Sequence, residues 1–275
     1  MGGFLVVLDT WPPADVPPAA KAWAEALGAA QMDCARSLRS CVGIPIHGVD
    51  EQTATKLAAA LTRAGARAWP AAEALVARLP RPVTASRLEV DGPNLLAQVA
   101  LTGPPEQIPL AKIVLVLPAG RLEQRTIGGG TKKTKVGIGT VALAATTGFG
   151  AGKVISAIRG KGKDIPIEID TSLRALVEIV SIGPLKRLHG LANRLDYSVL
   201  GAEQVQGRRN FSRLLEQIAA STRPNLASRP ALDRFIADGT VPDVLRAKDN
   251  NGLAAVSRWL LLRGAMRRLA ARREG

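Results

Sequence analysis

Cysteine and histidine are scarce in this 275-residue chain, which contains two of each. Cys34 and Cys41 are seven positions apart, and two turns of one helix would separate them by roughly 10 Å, which is too far for a disulfide. We interpret both as small buried apolar residues in a reducing compartment. His47 and His189 are far apart in the sequence, and neither belongs to a group with the spacing of metal ligands. The sequence therefore predicts no metal and no cofactor.

The chain also lacks the patterns that catalysis and secretion require. No pair of carboxylates stands out for general acid–base chemistry. The first residues, MGGFLVVLDTW, have no basic region ahead of their apolar run, and that run is too short to cross a bilayer. We predict a cytoplasmic protein that is not an enzyme and for which no small-molecule substrate can be identified.

Acidic side chains balance basic ones over most of the sequence, although the net charge is +14. Two regions hold nearly all of the excess. Residues 120–163 contain nine basic side chains and one acidic side chain, a net charge of +8, and residues 258–275 contain six and one, a net charge of +5. Such clusters raise the electrostatic potential toward phosphates, anionic lipid or acidic proteins. The alternative is a solvated basic loop and a solvated basic tail.

Residues 120–163 form the most unusual stretch of the sequence. Its centre, residues 136–158, is rich in Gly, Ala, Val and Ile, and Lys153 is its only charged residue before Ile158. Basic clusters lie on both sides of this centre. The candidate anion-binding residues are the cations of these clusters and of the centre: Lys132, Lys133, Lys135, Lys153, Arg159, Lys161 and Lys163.

Four interpretations of this stretch compete. Nucleotide binding is the weakest, because a phosphate loop needs Gly where this sequence has Thr147, and Ser or Thr where it has Val154. Membrane contact is the second. The 23 residues 136–158 could span a bilayer as a helix. However, Lys153 is charged and each glycine costs about 1 kcal/mol in a helix, so contact with the membrane surface is favoured over a span. Nucleic acid is the third, although Phe149 is the only aromatic available for stacking. The fourth is a plain insertion between two strands of a β domain. The last three stay open.

The first 75 residues have a regular order of predicted elements. Short apolar runs predict strands, helical spacing and capping residues predict helices, and Gly28 and Gly65 mark helix ends. The predicted order is strand, helix, helix, strand, helix, strand, at Phe4–Leu8, Pro18–Leu27, Gln31–Ser40, Ile44–Val49, Asp50–Ala64 and Ala66–Trp69.

The sequence LGAAQMDCARSLRS…GIPIHGVDEQTATKLAAALTRAGARA resembles the C-terminal domain of the bacterial ribosomal stalk protein, to which the adaptor of the Clp protease is similar in fold. The resemblance covers residues 4–72 and depends on a Gly after the first helix, an Ala-Arg pair in the second, a G-V-D-E helix start and an A-G-A helix end. Those families bind proteins, which implies a protein partner docking through residues 1–75. The identity of that partner does not carry over, because KAWAEALGAA lacks the Lys- and Gly-rich character of the stalk protein's recognition helix, and the ligand pocket of the Clp adaptor is not recognisable.

The rest of the chain predicts a β-rich region followed by helices. A linker at residues 76–85 precedes a β-rich domain at 86–200, which carries the basic Gly-rich insertion 120–163, and a helical region at 201–275 follows. Asn210 is predicted to cap a helix whose apolar face is Phe211, Leu214, Leu215 and Ile218. The predicted strands are Arg87–Val90, Leu95–Leu101, Lys112–Leu117, Ile165–Asp170, Ala175–Ser181, Leu185–Leu188 and Leu195–Leu200. We therefore expect an α+β protein in which the β domain is small and antiparallel, with a pleckstrin-homology-like barrel as the arrangement that the order of elements most suggests.

The function predicted from the sequence is that of a non-enzymatic adaptor or scaffold in protein–protein interactions. The alternative is a peripheral binder of anionic surfaces, either membrane lipid or nucleic acid, acting through the basic Gly-rich stretch and the Arg-rich tail. In that alternative the cytoplasmic protein would lie at a membrane surface.

Overall fold

The computed structural model describes residues 3–75, 78–100, 102–127, 154–156, 167–205, 208–223, 226 and 228–274. Over these residues the protein is of the α+β class, as predicted. Its strands form three small sheets with antiparallel and mixed pairing.

The N-terminal unit has the predicted order of elements. Its first sheet has the strand order β2-β1-β3 and is antiparallel throughout. The αL conformation of Gly28 ends α1, and the Asp50 carboxylate accepts a hydrogen bond from the Thr53 backbone N–H at 2.8 Å at the start of α3. The six elements are β1 (Phe4–Leu8), α1 (Val16–Leu27), α2 (Gln31–Ser40), β2 (His47–Val49), α3 (Glu51–Arg63) and β3 (Ala68–Ala72).

Strand β1 is buried on both faces because its residues alternate between two hydrophobic clusters. Val6 and Leu8 pack with the three helices of the N-terminal unit. Leu5 and Val7 belong to a larger cluster that reaches to Leu262, near the other end of the chain. This larger cluster joins the N-terminal sheet to the β-rich region and to the C-terminal helices.

The β-rich region contains two further sheets. In one, β5, β6 and β7 form a meander; in the other, the strand order is β12-β8-β10-β11-β4, and β9 pairs with β10. Both are open sheets among the described residues, so the pleckstrin-homology-like barrel is not found there. The strands are β4 (Val83–Ala85), β5 (Arg87–Asp91), β6 (Asn94–Gln98), β7 (Glu106–Pro109), β8 (Ile113–Ile127), β9 (Val154–Ser156), β10 (Ile167–Ser181), β11 (Lys186–Leu191) and β12 (Arg246–Ala247).

Three helices follow in the C-terminal region: α4 (Arg208–Ser221), α5 (Arg229–Asp238) and α6 (Asn250–Glu274). Helix α4 contacts α5 and β5, α5 packs on β8, and α6 packs on the larger sheet and on β1 and β3 of the N-terminal sheet. The predicted apolar face of α4 is confirmed, since all four of its residues are buried. Asn210 is not the cap, because it lies inside α4 and its side chain instead bonds to the backbone N–H and C=O of Val205. The strand predicted at Leu195–Leu200 is wrong, because this segment leads into a 3₁₀ helix at Ser198–Glu203.

Helix α6 is held against the N-terminal unit by Trp259. Its indole Nε1 donates a hydrogen bond to the Leu8 carbonyl oxygen at 2.7 Å, and its ring meets Trp11 edge-on at 6.3 Å between centroids. The ring lies directly over Gly43, where a Cβ atom would come within 2.3 Å of Trp259 Cδ1. Only a residue without a side chain fits at position 43.

We predict that Gly43→Ala destabilises the fold by about 2–5 kcal/mol, because a left-handed backbone and an overpacked core both oppose a methyl group there. The φ angle of Gly43 is +74°, and the buried Trp259 is fixed by its hydrogen bond. Urea unfolding monitored by tryptophan fluorescence measures the change. Gly28→Ala is the matched control, since Gly28 has φ +68° and no atom within 4 Å of an added Cβ; it should cost only the backbone contribution, about 1–2 kcal/mol. Equal losses in the two variants would contradict the packing argument.

Candidate functional site

Strands β8 and β10 form one long antiparallel ribbon that connects the protein body to the basic segment. They pair over fourteen positions, from Ile113 opposite Ser181 to Ile127 opposite Glu168. Prediction placed a strand at Lys112–Leu117 and two separate strands at 165–181, whereas β8 continues to Ile127 and β10 is continuous. The ribbon is therefore longer than the sequence pattern indicated.

The surroundings of the ribbon change at Arg121 and Arg174. On the body side of this point, β11 and β12 flank the two strands. Beyond it, β9 is the only described strand that pairs with either of them, at residues 167–169 of β10. Six residues of β8, a length of about 20 Å at 3.3 Å per residue, thus have β10 as their only described neighbouring strand.

The seven predicted anion-binding residues, Lys132, Lys133, Lys135, Lys153, Arg159, Lys161 and Lys163, lie outside the described residues. The structure does describe the strands that precede and follow this stretch. The chain leaves β8 at Ile127 and enters β10 at Ile167, next to the opposing pair of Ile127 and Glu168. The chain between β8 and β10 therefore begins and ends at the same end of the ribbon.

A cluster of ionisable side chains that sequence reasoning missed lies in the body half of this sheet. Glu178 of β10 is directly opposite His189 of β11. The Glu178 carboxylate accepts hydrogen bonds from Arg187 Nε at 3.0 Å and Nη2 at 2.9 Å, and His189 Nε2 lies 2.9 Å from Glu178 Oε2. Arg187 Nη2 also donates to the carbonyl oxygen of Asn250, the first residue of α6, at 3.2 Å. The cluster therefore links the sheet to the start of that helix.

Burial and hydrogen bonding act in opposite directions on Glu178, which has no exposed surface. Desolvation alone would raise its pKa, but the hydrogen bonds from His189 and Arg187 outweigh it and hold the pKa of the carboxyl below its usual value. The His189 ring must carry its proton on Nε2 to donate to this carboxylate. Both neighbours are buried as well, so the cluster is closed to a substrate and fits a structural role.

The hairpin between β10 and β11 contained a signal for this cluster. Alternation along β10 places Glu178 and Val180 on one face, and the turn at Ile182–Leu185 places Arg187 and His189 opposite them. His189, which the sequence analysis assigned to no site, is thus a packed residue of this cluster. A residue-by-residue prediction of the hairpin register would have placed Glu178, Arg187 and His189 next to one another.

Helix α6 combines a docked apolar part with a basic end. The Arg263 guanidinium lies 5.1 Å from the centroid of the Trp259 ring, and Arg267 Nε donates to Asp9 Oδ1 at 2.6 Å. Beyond this contact, Arg268 and Arg272 are exposed. Helix α6 therefore packs on the N-terminal unit through the part that ends near Arg267.

Other types of site receive little support from the part of the chain that the structure describes. There, no group of three or more His, Cys, Asp or Glu could hold a metal ion. No described helix has the length and apolar character needed to cross a membrane. Cys34 and Cys41 are both free, and burial raises the pKa of the Cys41 thiol to about 11, which disfavours the reactive thiolate.

Comparison with known proteins adds no identification: no family model, no curated protein and no solved structure matches this chain.

We predict that Glu178→Gln destabilises the protein by about 3–5 kcal/mol at neutral pH, because it leaves Arg187 as a buried charge without its carboxylate. The lowered pKa means that the carboxylate contributes stability above the ordinary Glu pKa of about 4.3 and loses it as the pH falls through the lowered value. The difference between wild type and variant should therefore narrow at acid pH. Urea unfolding at a series of pH values measures it.

Glu25→Gln is the control for this prediction. Glu25 is exposed, and its oxygen lies 3.9 Å from Lys21 Nζ on the surface of α1. The change in stability should be below about 1 kcal/mol. A pH-independent loss in Glu178→Gln would show that the charge of Glu178 is not what stabilises the cluster.

Proposed function

We propose that this protein is a non-enzymatic, peripheral binder of anionic membrane surfaces, and that the β8–β10 ribbon presents its basic Gly-rich segment to the lipid. The observation that supports this proposal is the topology of the ribbon. Residues 128–166 carry seven cations and one acidic residue, Asp164, and enter and leave at one end of two paired strands. That end lies past the point where β11 and β12 flank the ribbon.

The chemistry of the segment favours lipid over nucleic acid. Its apolar centre, residues 136–158, lies between the two cationic clusters, so shallow insertion of apolar residues can accompany attraction to headgroup phosphates. Binding to single-stranded nucleic acid usually adds stacking on aromatic side chains, and Phe149 is the only aromatic residue in this segment. The proposed location is therefore the cytoplasm, at the surface of a membrane.

The sites that the structure describes support the non-enzymatic part of the proposal. The buried cluster of Glu178, Arg187 and His189 is closed and linked to α6. An open cleft of ≈ 460 Å³ next to α4 is lined by Glu203, Arg213 and Glu216 together with Gln217 and Ala220. The residues that line this cleft include no Ser, Thr, Cys, Lys or His.

We predict that replacing Lys132, Lys133 and Lys135 together by alanine weakens binding to anionic vesicles roughly 100-fold, at about 1 kcal/mol per lysine near a charged surface. Flotation of the full-length protein with phosphatidylserine-containing vesicles at low salt measures this. Wild-type binding should fall as salt is raised, since the screening length shortens. The charge-matched control replaces Lys21, Lys56 and Lys248, which are exposed at scattered positions, and should retain binding.

Three outcomes would contradict the proposal. One is equal binding of the wild type to neutral and anionic vesicles, and another is no binding to either. The third is an equal loss in the two triple variants, which would mean that total charge matters and the segment does not. Binding of a nucleic acid duplex or single strand in preference to the vesicles would reassign the segment to nucleic acid.

A second candidate function is that of a protein–protein adaptor acting through residues 1–75. Its support is the order of elements in the N-terminal unit, which is the order that the resemblance to the ribosomal stalk domain implies. Helix α6 occupies one face of the sheet, while α1, α2 and α3 lie on the other face. Met32, at the start of α2, is 78% exposed and is the most exposed large apolar residue described.

We predict that Met32→Asp reduces the amount of a protein partner recovered with the full-length protein roughly tenfold, as expected when a central apolar contact is lost. Affinity purification under matched expression, with quantitative mass spectrometry, measures the recovery. Val83→Asp is the control, because Val83 is 48% exposed and lies on β4, away from the helices of the N-terminal unit. Identical partner lists for the wild type and both variants would count against docking through α2.

A further inference from the structure

Among the described residues, the outer edge of β8, on the side away from β10, is covered along its first part and has no neighbouring strand along its last part. The Val116 backbone N–H points away from β10 and donates to the Ser228 hydroxyl at 3.2 Å. Strand β12 then pairs with Gly120 and Arg121 on the same side. No described strand pairs with this edge from residue 122 to residue 127. An uncovered edge of this length is a template for another strand, and proteins usually protect such edges.

The direction of the backbone groups on this stretch follows from the observed register. Pairing with β10 is continuous from Val116 to Ile127 without a bulge, and N–H and C=O groups alternate sides along a strand. Because Val116 points outward, Leu122, Gln124 and Thr126 also direct their N–H and C=O groups outward. Pro118 is another residue whose backbone faces away from β10, so the N–H group that proline lacks would not have bonded to β10.

We propose that a second copy of this chain pairs with this edge, β8 against β8 in antiparallel orientation, about a two-fold axis at Gln124. In this register Gln124 lies opposite Gln124 of the second copy, and Leu122 opposite Thr126. The three outward residues of each copy then exchange six backbone hydrogen bonds, two for each opposed pair. The two ribbons become one four-stranded sheet in the order β10-β8-β8-β10.

The charges along β8 select this register. With the axis at Gln124, Glu123 of each copy lies opposite Arg125 of the other, at non-hydrogen-bonded positions where side chains are closest. Moving the axis to Glu123 places two glutamates opposite each other, and moving it to Arg125 places two arginines opposite each other, both of which are unfavourable. An axis at Leu122 would require Gly120 to pair with the second copy, but the outer edge of β8 at Gly120 already pairs with β12.

The test measures self-association of the full-length protein by sedimentation velocity over a concentration series at low salt, with three charge combinations. Glu123→Arg alone and Arg125→Glu alone should each weaken association roughly tenfold or more, because each creates two like-charge pairs. A 1:1 mixture of the two variants should restore it, because every position then faces the opposite charge. Native mass spectrometry identifies the restored species as a heterodimer by its mass.

A backbone variant tests the edge separately from the charges. Gln124→Pro removes an outward N–H, as Pro118 does in the same strand, and should abolish the dimer while the thermal midpoint and circular dichroism stay close to those of the wild type. Gln124→Val keeps the N–H and should remain dimeric. This comparison separates a loss of the pairing edge from a disturbance of the ribbon itself. Such a disturbance is a risk for Arg125→Glu, because residue 125 lies opposite Asp170 of β10 and the variant places two acidic residues opposite each other.

Three results would overturn the proposal. A wild-type protein that stays monomeric at every soluble concentration rules out the pairing. A dimer that persists in Gln124→Pro places the interface elsewhere. A mixture of the two charge variants that fails to associate while the wild type does would exclude the register centred on Gln124.

Discussion

The hydrogen bond between the Trp259 indole and the Leu8 carbonyl joins two residues 251 positions apart and fastens the last helix to the first strand. It fixes α6 across β1, which is why Leu5 and Val7 are buried although the three helices of the N-terminal unit cover only the other face. Gly43 provides the space for the ring. At its other end, α6 is tied to the larger sheet by Arg187, through the carbonyl of Asn250. One helix therefore sets the position of both sheets.

The two halves of the β8–β10 ribbon, on either side of Arg121, differ in the described strands that neighbour them. The body half is apolar and buried, and its only buried charges are compensated within the Glu178 cluster. The far half continues the same register, and fewer of the described strands pair with it. Such an arrangement separates two requirements: the core gives stability, while the extension is the part of the ribbon that the proposed membrane binding and self-pairing would use. Membrane binding and self-pairing would use different parts of that extension, so both can occur in the same protein.

The N-terminal unit was predictable because local signals agreed with one another. The Asp50 cap, the Gly28 stop and the apolar periodicity of α3 all favoured the structure that formed. The ribbon was harder to predict, because residues 118–127 and 171–174 contain Pro, Gly and charged residues that locally resemble turns. Pairing between β8 and β10 overrides that weak propensity. The Glu178 cluster depends on register across a hairpin, which single-strand patterns do not include, and the predicted cation site lies outside the described residues.

The contact between β1 and α6 also has a consequence for how the chain folds as it is synthesised. Leu8 leaves the ribosome long before Trp259, and at about 5–20 residues per second the interval is roughly 10–50 s. During that time the helices α1, α2 and α3 can pack on one face of the first sheet, while Leu5 and Val7 on the other face have no cover. The nascent protein therefore carries an apolar surface that lasts until α6 emerges, which makes it a candidate client for chaperones that bind during translation.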